Sequence, residues 1–185
     1  MAESLLIVGK NNRNRTILKR ALSSIYEVIE AVGIGVALDI LYAEKIRAIF
    51  IDTFESENAS MDFLKIVRGQ KRYLSLPIFV MISENNEGLE IKALSMGATD
   101  FFFSTFNPAL LLNRVKNEFE KQLAIESAKR DNLTGVYNRY GLESNIDLSI
   151  LYNGGKRKMA LGIIDIDNFK AVNDTYGHKF GDKAL

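Results

Sequence analysis

The sequence predicts an α/β chain: a five-stranded, doubly wound parallel sheet, a long helix, and then the N-terminal part of a second, α+β domain. Three observations carry that reading. Short runs in the first 103 residues are apolar at every position, as strands buried on both faces are. The stretches between them keep helical spacing, so strands and helices alternate. After a long helical stretch, the pattern restarts at a polar turn beginning with Asp131.

The strand-length runs are Leu5-Leu6-Ile7-Val8, Ala48-Ile49-Phe50-Ile51, Ile78-Phe79-Val80-Met81-Ile82 and Phe101-Phe102-Phe103, with a weaker one from Tyr26 to Val32. Ile17, Leu18, Ala21, Leu22 and Ile25 fall on one helical stripe, as do Val36, Ala37, Ile40 and Leu41, and more faintly Ala93 and Leu94. Five strand–helix units fit into about 120 residues, and loops at the carboxyl ends of such strands carry the chemistry. Pro108 opens the long helix, whose apolar stripe runs through Leu111, Leu112, Val115, Phe119 and Leu123 before thinning toward Arg130. That thinning suggests a connector able to pair with a second subunit. The expected divisions are 1–123, a connector 124–130, and 131–185. Beyond Asp131 the sequence predicts a helix through Leu142 and Ile146, a turn at Gly154-Gly155, a strand from Met159 to Ile166 and a short helix.

With 24 lysines and arginines against 23 acids, the chain has no single-sign field for gripping nucleic acid or anionic lipid. The local run Lys10, Arg13, Arg15, Lys19, Arg20 reads as a solvated helix face. There is no cysteine, which excludes disulfides and thiolate metal sites. No apolar run approaches the ~20 residues of a membrane span, and the N-terminus lacks signal-peptide character. A cytoplasmic protein without nucleic-acid or membrane partners is expected.

Two stretches carry chemistry. The first is Asp131-Asn132-Leu133-Thr134-Gly135-Val136-Tyr137-Asn138-Arg139. The second runs from Asp165-Ile166-Asp167-Asn168-Phe169-Lys170 through Asn173-Asp174 and Gly177-His178 to Gly181-Asp182. Asp165 and Asp167, two apart at a strand end, place two carboxylates on one side of an extended backbone. With the carbonyl between them they suit a hard divalent cation such as magnesium, which takes its other ligands from water and phosphate. Lys170 would offset phosphate charge. Asn173 and Asp182, short polar groups near glycines, suit the donor and acceptor edge of guanine. Asp-x-Asp helix caps and Asn-Asp-x-x-Gly turns are common structural devices taken singly; their order here is what points to a nucleotide site.

Together these stretches resemble the N-terminal part of a GGDEF domain, the diguanylate cyclase family. Its members open with Asp-x-Leu-Thr-Gly-Leu-x-Asn-Arg, where this chain has Val136 for the second leucine. They continue with Asp-[Ile/Val]-Asp-x-Phe-Lys-x-[Ile/Val]-Asn-Asp-x-x-Gly-His-x-x-Gly-Asp. The resemblance covers residues 131–185. It implies GTP as substrate and magnesium or manganese at Asp165 and the Ile166 carbonyl. It further implies guanine contacts from Asn173 and Asp182, and a triphosphate end shaped by Phe169 and Lys170. The family's Gly-Gly-[Asp/Glu]-Glu-Phe hairpin does not occur in the 185 residues, nor does the Arg-x-x-Asp inhibitory motif. No complete catalytic set is therefore expected within them, and the fragment alone is expected to be inactive.

Residues 3–123 resemble the receiver domain of response regulators, a flavodoxin-like fold. Asp52 ends the third strand where the phosphoacceptor belongs, Ser83 follows the fourth, and Phe101 takes the switching-aromatic position. The acidic pair that holds magnesium in receivers reads Gly9-Lys10, and the Lys-Pro after the fifth strand reads Ser104-Thr105. The loop after Asp52 lacks Met-Pro and carries Glu55 and Glu57. Without the acidic pair a pseudo-receiver is expected, in which Lys10 could occupy the pocket as counterion to Asp52; the alternative is that Glu55 or Glu57 rescues a displaced metal. The cyclase reaction joins two GTP-loaded domains, so a homodimer through the connector helix or receiver face is expected. The competing readings are a non-catalytic GTP- or protein-binding module and a phosphorylation-switched response regulator.

Overall fold

The computed structural model describes residues 4–54, 56–83, 88–144 and 162–185. The chain divides into two compact units, Met1–Glu118 and Phe119–Leu185. In the first, β1 (Ser4–Val8), β2 (Glu27–Ala31), β3 (Ile46–Asp52), β4 (Ile78–Ile82) and β5 (Asp100–Phe103) form one sheet of order β2-β1-β3-β4-β5. Every pairing is parallel. Between the strands run α1 (Asn12–Leu22), α2 (Ile34–Ala43), α3 (Glu57–Arg68) and α4 (Leu89–Ser95), with a short 3₁₀ turn at Lys71–Tyr73. The expected five-unit doubly wound sheet is the observed one.

The apolar runs become central strands because both their faces are covered. Leu6, Ile49, Ile51, Val80 and Ile82 share a core with Ala37 and Leu41 of α2 and Met61, Leu64 and Val67 of α3. The alternate residues Leu5, Ile7, Phe50, Phe79 and Met81 are equally buried and belong to the opposite face. There the Phe50 and Phe79 rings stack with centroids 5.0 Å apart. Burying one such aromatic or aliphatic side chain is worth about 1.5–3 kcal/mol, which is why uninterrupted apolar runs specify this sheet.

α3 is the helix the strand–helix alternation required without a spacing assigned to it. Ser56 caps it by accepting from the Ala59 N–H at 3.3 Å. Glu57 in its first turn and Lys65 and Arg68 in its last complement the helix dipole. At α1, the Asn11 side chain caps by accepting from the Asn14 N–H at 3.1 Å.

α5 (Pro108–Ala128) is a single 21-residue helix. Leu111, Val115 and Phe119 are buried, whereas Leu123 and Ile125 are exposed. The predicted stripe is therefore split: its first part is already covered within the chain, and only its end faces outward. Beyond it lie a helical segment α6 at 139–144, then α7 (Phe169–Tyr176) and α8 (His178–Ala184). Ile146, the Gly154-Gly155 turn and the start of the Met159–Ile166 strand lie outside the described residues. The described part, 162–166, is not a strand. An extended segment needs a neighbouring backbone for its hydrogen bonds, and among the described residues none pairs with it. Ile163 and Ile164 are accordingly 94% and 95% exposed. No described helix is long and apolar enough to cross a membrane.

Candidate functional site

At the end of α5, the Asp131–Arg139 stretch folds into a tight elbow. Asp131 Oδ1 accepts from the backbone N–H groups of Leu133 and Thr134, at 3.1 and 2.9 Å, and from the Thr134 hydroxyl at 2.8 Å. The backbone and side-chain hydrogen bonds from Thr134 hold the Asp131 carboxyl below the usual carboxylate range. Asn138 then ties the turn to the helix: its Nδ2 donates to the carbonyls of Ala128 and Arg130, at 2.8 and 3.2 Å. Its Oδ1 accepts from the Gly141 N–H at 2.9 Å. Gly141 is buried where a Cβ would collide with the Lys129 carbonyl and approach Tyr137 Cδ1 to 2.8 Å. The Arg130 guanidinium lies over the Tyr137 ring, 4.6 Å from its centre, and donates to the Gly135 carbonyl. These contacts fix the shape of the turn.

The second stretch is organised around α7 and α8. Asn168, in the left-handed region at φ 56°, redirects the extended segment into α7. Gly177 (φ 81°) turns the chain from α7 into α8, and the Tyr176 and Phe180 rings meet at 5.0 Å. Gly181 is buried against the Asn173 side chain, whose Oδ1 takes the space of a Cβ; that Cβ would also stand 3.2 Å from Phe169 Cζ. The structure therefore brings Phe169, Asn173 and Gly181 together, with Asp182 the next residue and exposed. Asp165, Ile166, Asp167 and Lys170 are exposed, and the described residues contain no cluster of three or more metal-ligating groups.

In the sheet unit, Asp52 ends β3 and is 5% exposed. Asn14 Nδ2 lies 3.2 Å from both of its carboxylate oxygens, and the Phe54 N–H donates to Oδ1 at 3.0 Å. Ser60 donates to the Asp52 carbonyl at 3.0 Å. A Cβ on Gly9 would meet Asp52 Cβ at 2.7 Å, so the end of β1 packs directly on this aspartate. Lys10 is exposed, and Asn14 is a donor that bridges the carboxylate. Arg15 departs from expectation. It is 8% exposed and donates through Nη1 to the carbonyls of Gly9 and Lys10, both at 2.8 Å, and through Nη2 to Asn12 Oδ1 at 3.1 Å. Glu30 stands 3.5 Å from its Nε as an ion-pair partner without a hydrogen bond. The basic run is thus not uniformly a solvated face, because α1 turns Arg15 under the β1–α1 loop. Ser83 follows β4 one strand over, where Met81 pairs in register with Asp52.

Residues 128–185 match the family model described as "Diguanylate cyclase, GGDEF domain". The response regulator PleD of Caulobacter vibrioides is 32% identical over 136 residues, 66% of this chain and 30% of PleD. The diguanylate cyclase VdcA of Vibrio cholerae is 37% identical over 89 residues, 48% of this chain and 25% of VdcA. A putative response regulator from Chloroflexus aurantiacus superposes with a TM-score of 0.59 at 27% identity, covering 64% of this chain and 98% of that structure. A probable two-component response regulator/GGDEF domain protein gives 0.60 at 25%, covering 64% and 50%. The chain joins a receiver-like fold to a GGDEF region. It spans under a third of the length of PleD.

In the receiver-like unit, the loop bearing Gly9 and Lys10 is clamped by Arg15. Asn14 is a contact of Asp52 that the sequence did not single out, and Arg15 is buried where the sequence placed it on a solvated face. Both sit on the amphipathic helix α1, where a polar residue next to the apolar stripe at Leu18 and Leu22 was the available signal.

Proposed function

We propose that this chain is part of a diguanylate-cyclase-type signalling protein, in which 2 GTP become cyclic di-GMP and 2 diphosphate. The match of residues 128–185 to the GGDEF family carries this reading. A ribose hydroxyl of each GTP attacks the α-phosphorus of the other, forming two phosphodiester bonds while each α–β phosphoanhydride breaks and diphosphate leaves. Asp165 and the Ile166 carbonyl are hard oxygen donors that fit magnesium or manganese. When bound, the cation supplies charge neutralisation at the phosphates. Lys170 and Phe169 border the triphosphate, and Asn173 and Asp182 pair with the guanine edge. Packing of Asn173 against Gly181 limits where its amide can point, which supports a reading role over a mobile surface one.

The receiver-like unit serves in this reading as a phosphate-silent regulatory or dimerisation module. Phosphoryl transfer to a carboxylate draws several kcal/mol from a cation across the developing charge. Here Asp52 is bridged by an amide and lacks the acidic pair. A second reading, a non-catalytic GTP-binding module, is favoured by one observation: the phosphodiesterase PdeR of Escherichia coli is 43% identical over 58 residues. Proteins named for opposite reactions thus share this region. Chromatographic detection of cyclic di-GMP, beside measured GTP binding, separates the two. The samples are this chain and the chain extended through any in-frame sequence that follows residue 185. Product from the extended protein supports the cyclase, and tight GTP binding without product supports the module.

A further inference from the structure

The receiver-like unit contains a cleft of about 240 Å³ whose lining includes Asp52 and Lys10. It lies at the carboxyl ends of β1 and β3, where the strand order reverses, the usual place for ligands in open α/β sheets. The Asp52 carboxylate lines its buried end, and exposed Lys10 lines its mouth. Because Gly9 has no side chain, the carboxylate is walled on that side by backbone alone. Ile34 and Phe63 contribute apolar wall, and Ser56 adds a hydroxyl whose oxygen already accepts from Ala59, leaving its proton to donate.

We propose that this cleft binds a small zwitterionic amino acid with an apolar side chain, its ammonium on Asp52 and its carboxylate on Lys10 and Ser56. The two charges of the lining have opposite sign and differ in depth, which matches a ligand carrying both charges rather than a metal ion or a lone anion. The apolar remainder and the small volume match a short aliphatic side chain. Asn14, already on Asp52, holds the carboxylate in place as the receiving group. The proposal rests on the phosphate-silent reading of Asp52. Acetyl-phosphate labelling and calorimetry fail separately, so the two remain distinguishable.

The experiment is isothermal titration of the 185-residue chain with L-alanine, L-valine and L-leucine, with N-acetyl-leucine, leucinamide, isobutylamine and isovalerate, and with magnesium alone. At least one free amino acid is expected to bind below about 1 mM, and its acetylated and amidated forms at least about tenfold more weakly, since each loses one charge-assisted contact. Asp52→Asn and Lys10→Ala are each expected to weaken binding by about tenfold. Lys10 is exposed, so its variant keeps the test intact if Asp52→Asn does not fold. No heat with any amino acid up to about 10 mM would overturn the proposal, and so would isobutylamine binding as tightly as leucine. Affinity unchanged in Lys10→Ala would remove the carboxylate contact and with it the zwitterion. Magnesium binding alone, lost in Asp52→Asn, would replace the amino-acid site with a metal site.

Discussion

Asn14 Nδ2 stands 3.2 Å from each carboxylate oxygen of Asp52, bridging them from the first turn of α1. A neutral amide thus bridges this carboxylate. Incubation with acetyl phosphate and magnesium is expected to leave the intact mass unchanged. A magnesium-dependent adduct that disappears in Asp52→Asn would contradict the phosphate-silent reading.

Asn138→Ala should loosen the elbow. It removes two donated hydrogen bonds and one accepted, and at ~0.5–1.5 kcal/mol each the loss is about 1.5–4.5 kcal/mol. Amide hydrogen exchange should show faster exchange over 128–141. Asn138→Asp, which keeps the acceptor toward Gly141, should fall between the two. Unchanged protection in Asn138→Ala would mean that the side chain does not hold the turn.

The Asp131 carboxyl titrates below its ordinary value because the Thr134 N–H and hydroxyl favour the charged form. A depressed folded-state value stabilises the elbow above the ordinary carboxylate range, and that contribution is lost as pH falls through the lower folded value. The amide resonances of Leu133 and Thr134 should therefore shift together with a midpoint below ~3.9. A midpoint at or above that value would remove the capping role.

Dimerisation through the connector should depend on Leu123 and Ile125, the exposed apolar residues near the end of α5. Phe119 is a poor probe, since it is already buried and its replacement would disturb the chain itself. Sedimentation at tens of micromolar is expected to show a dimer that Leu123→Lys weakens by about tenfold or more, the cost of placing a charge in an apolar seam. A monomer in the unmutated chain would end this pairing role.

A polypeptide of these 185 residues is expected to form no cyclic di-GMP, because it contains no Gly-Gly-[Asp/Glu]-Glu-Phe hairpin to add the second acid. In an extended, active protein, Asp165→Ala should abolish turnover. Asp182→Ala should weaken GTP binding by about tenfold and relax its preference over ATP, since a site built to pair one base edge rejects another strongly. Asn173→Ala would also unpack Gly181, so the near-isosteric Asn173→Asp is the cleaner substitution. Product from the 185-residue chain, or full activity in Asp165→Ala, would misplace the metal site.

The sheet was legible because each central strand must be apolar on both faces, and Ile78–Ile82 shows that without interruption. α3 carries the same kind of signal in Met61, Leu64 and Val67, yet its polar residues Glu57, Asn58 and Ser60 near the start diluted it. Asp52 could be placed by strand order, whereas its partner could not. Asn14 lies 38 residues earlier, and only the parallel β1–β3 pairing brings α1 over the end of β3. Arg15 was misread for a related reason, since charge alone does not say which side of a helix meets a loop. Asp165 and Asp167 were found by spacing, but the strand expected to present them requires neighbouring backbones that spacing cannot supply.

The elbow at the end of α5 has a mechanical consequence. Asn138 grips carbonyls at 128 and 130 and the amide of 141 at once, so the helix end and the start of α6 are fastened on three sides. A swivel between α5 and α6 needs slack, and at Gly141 the backbone is already pressed against the Lys129 carbonyl. Torque applied along α5 would therefore reach α6 as rotation rather than dissipate in the turn, as in a rod welded to its fitting.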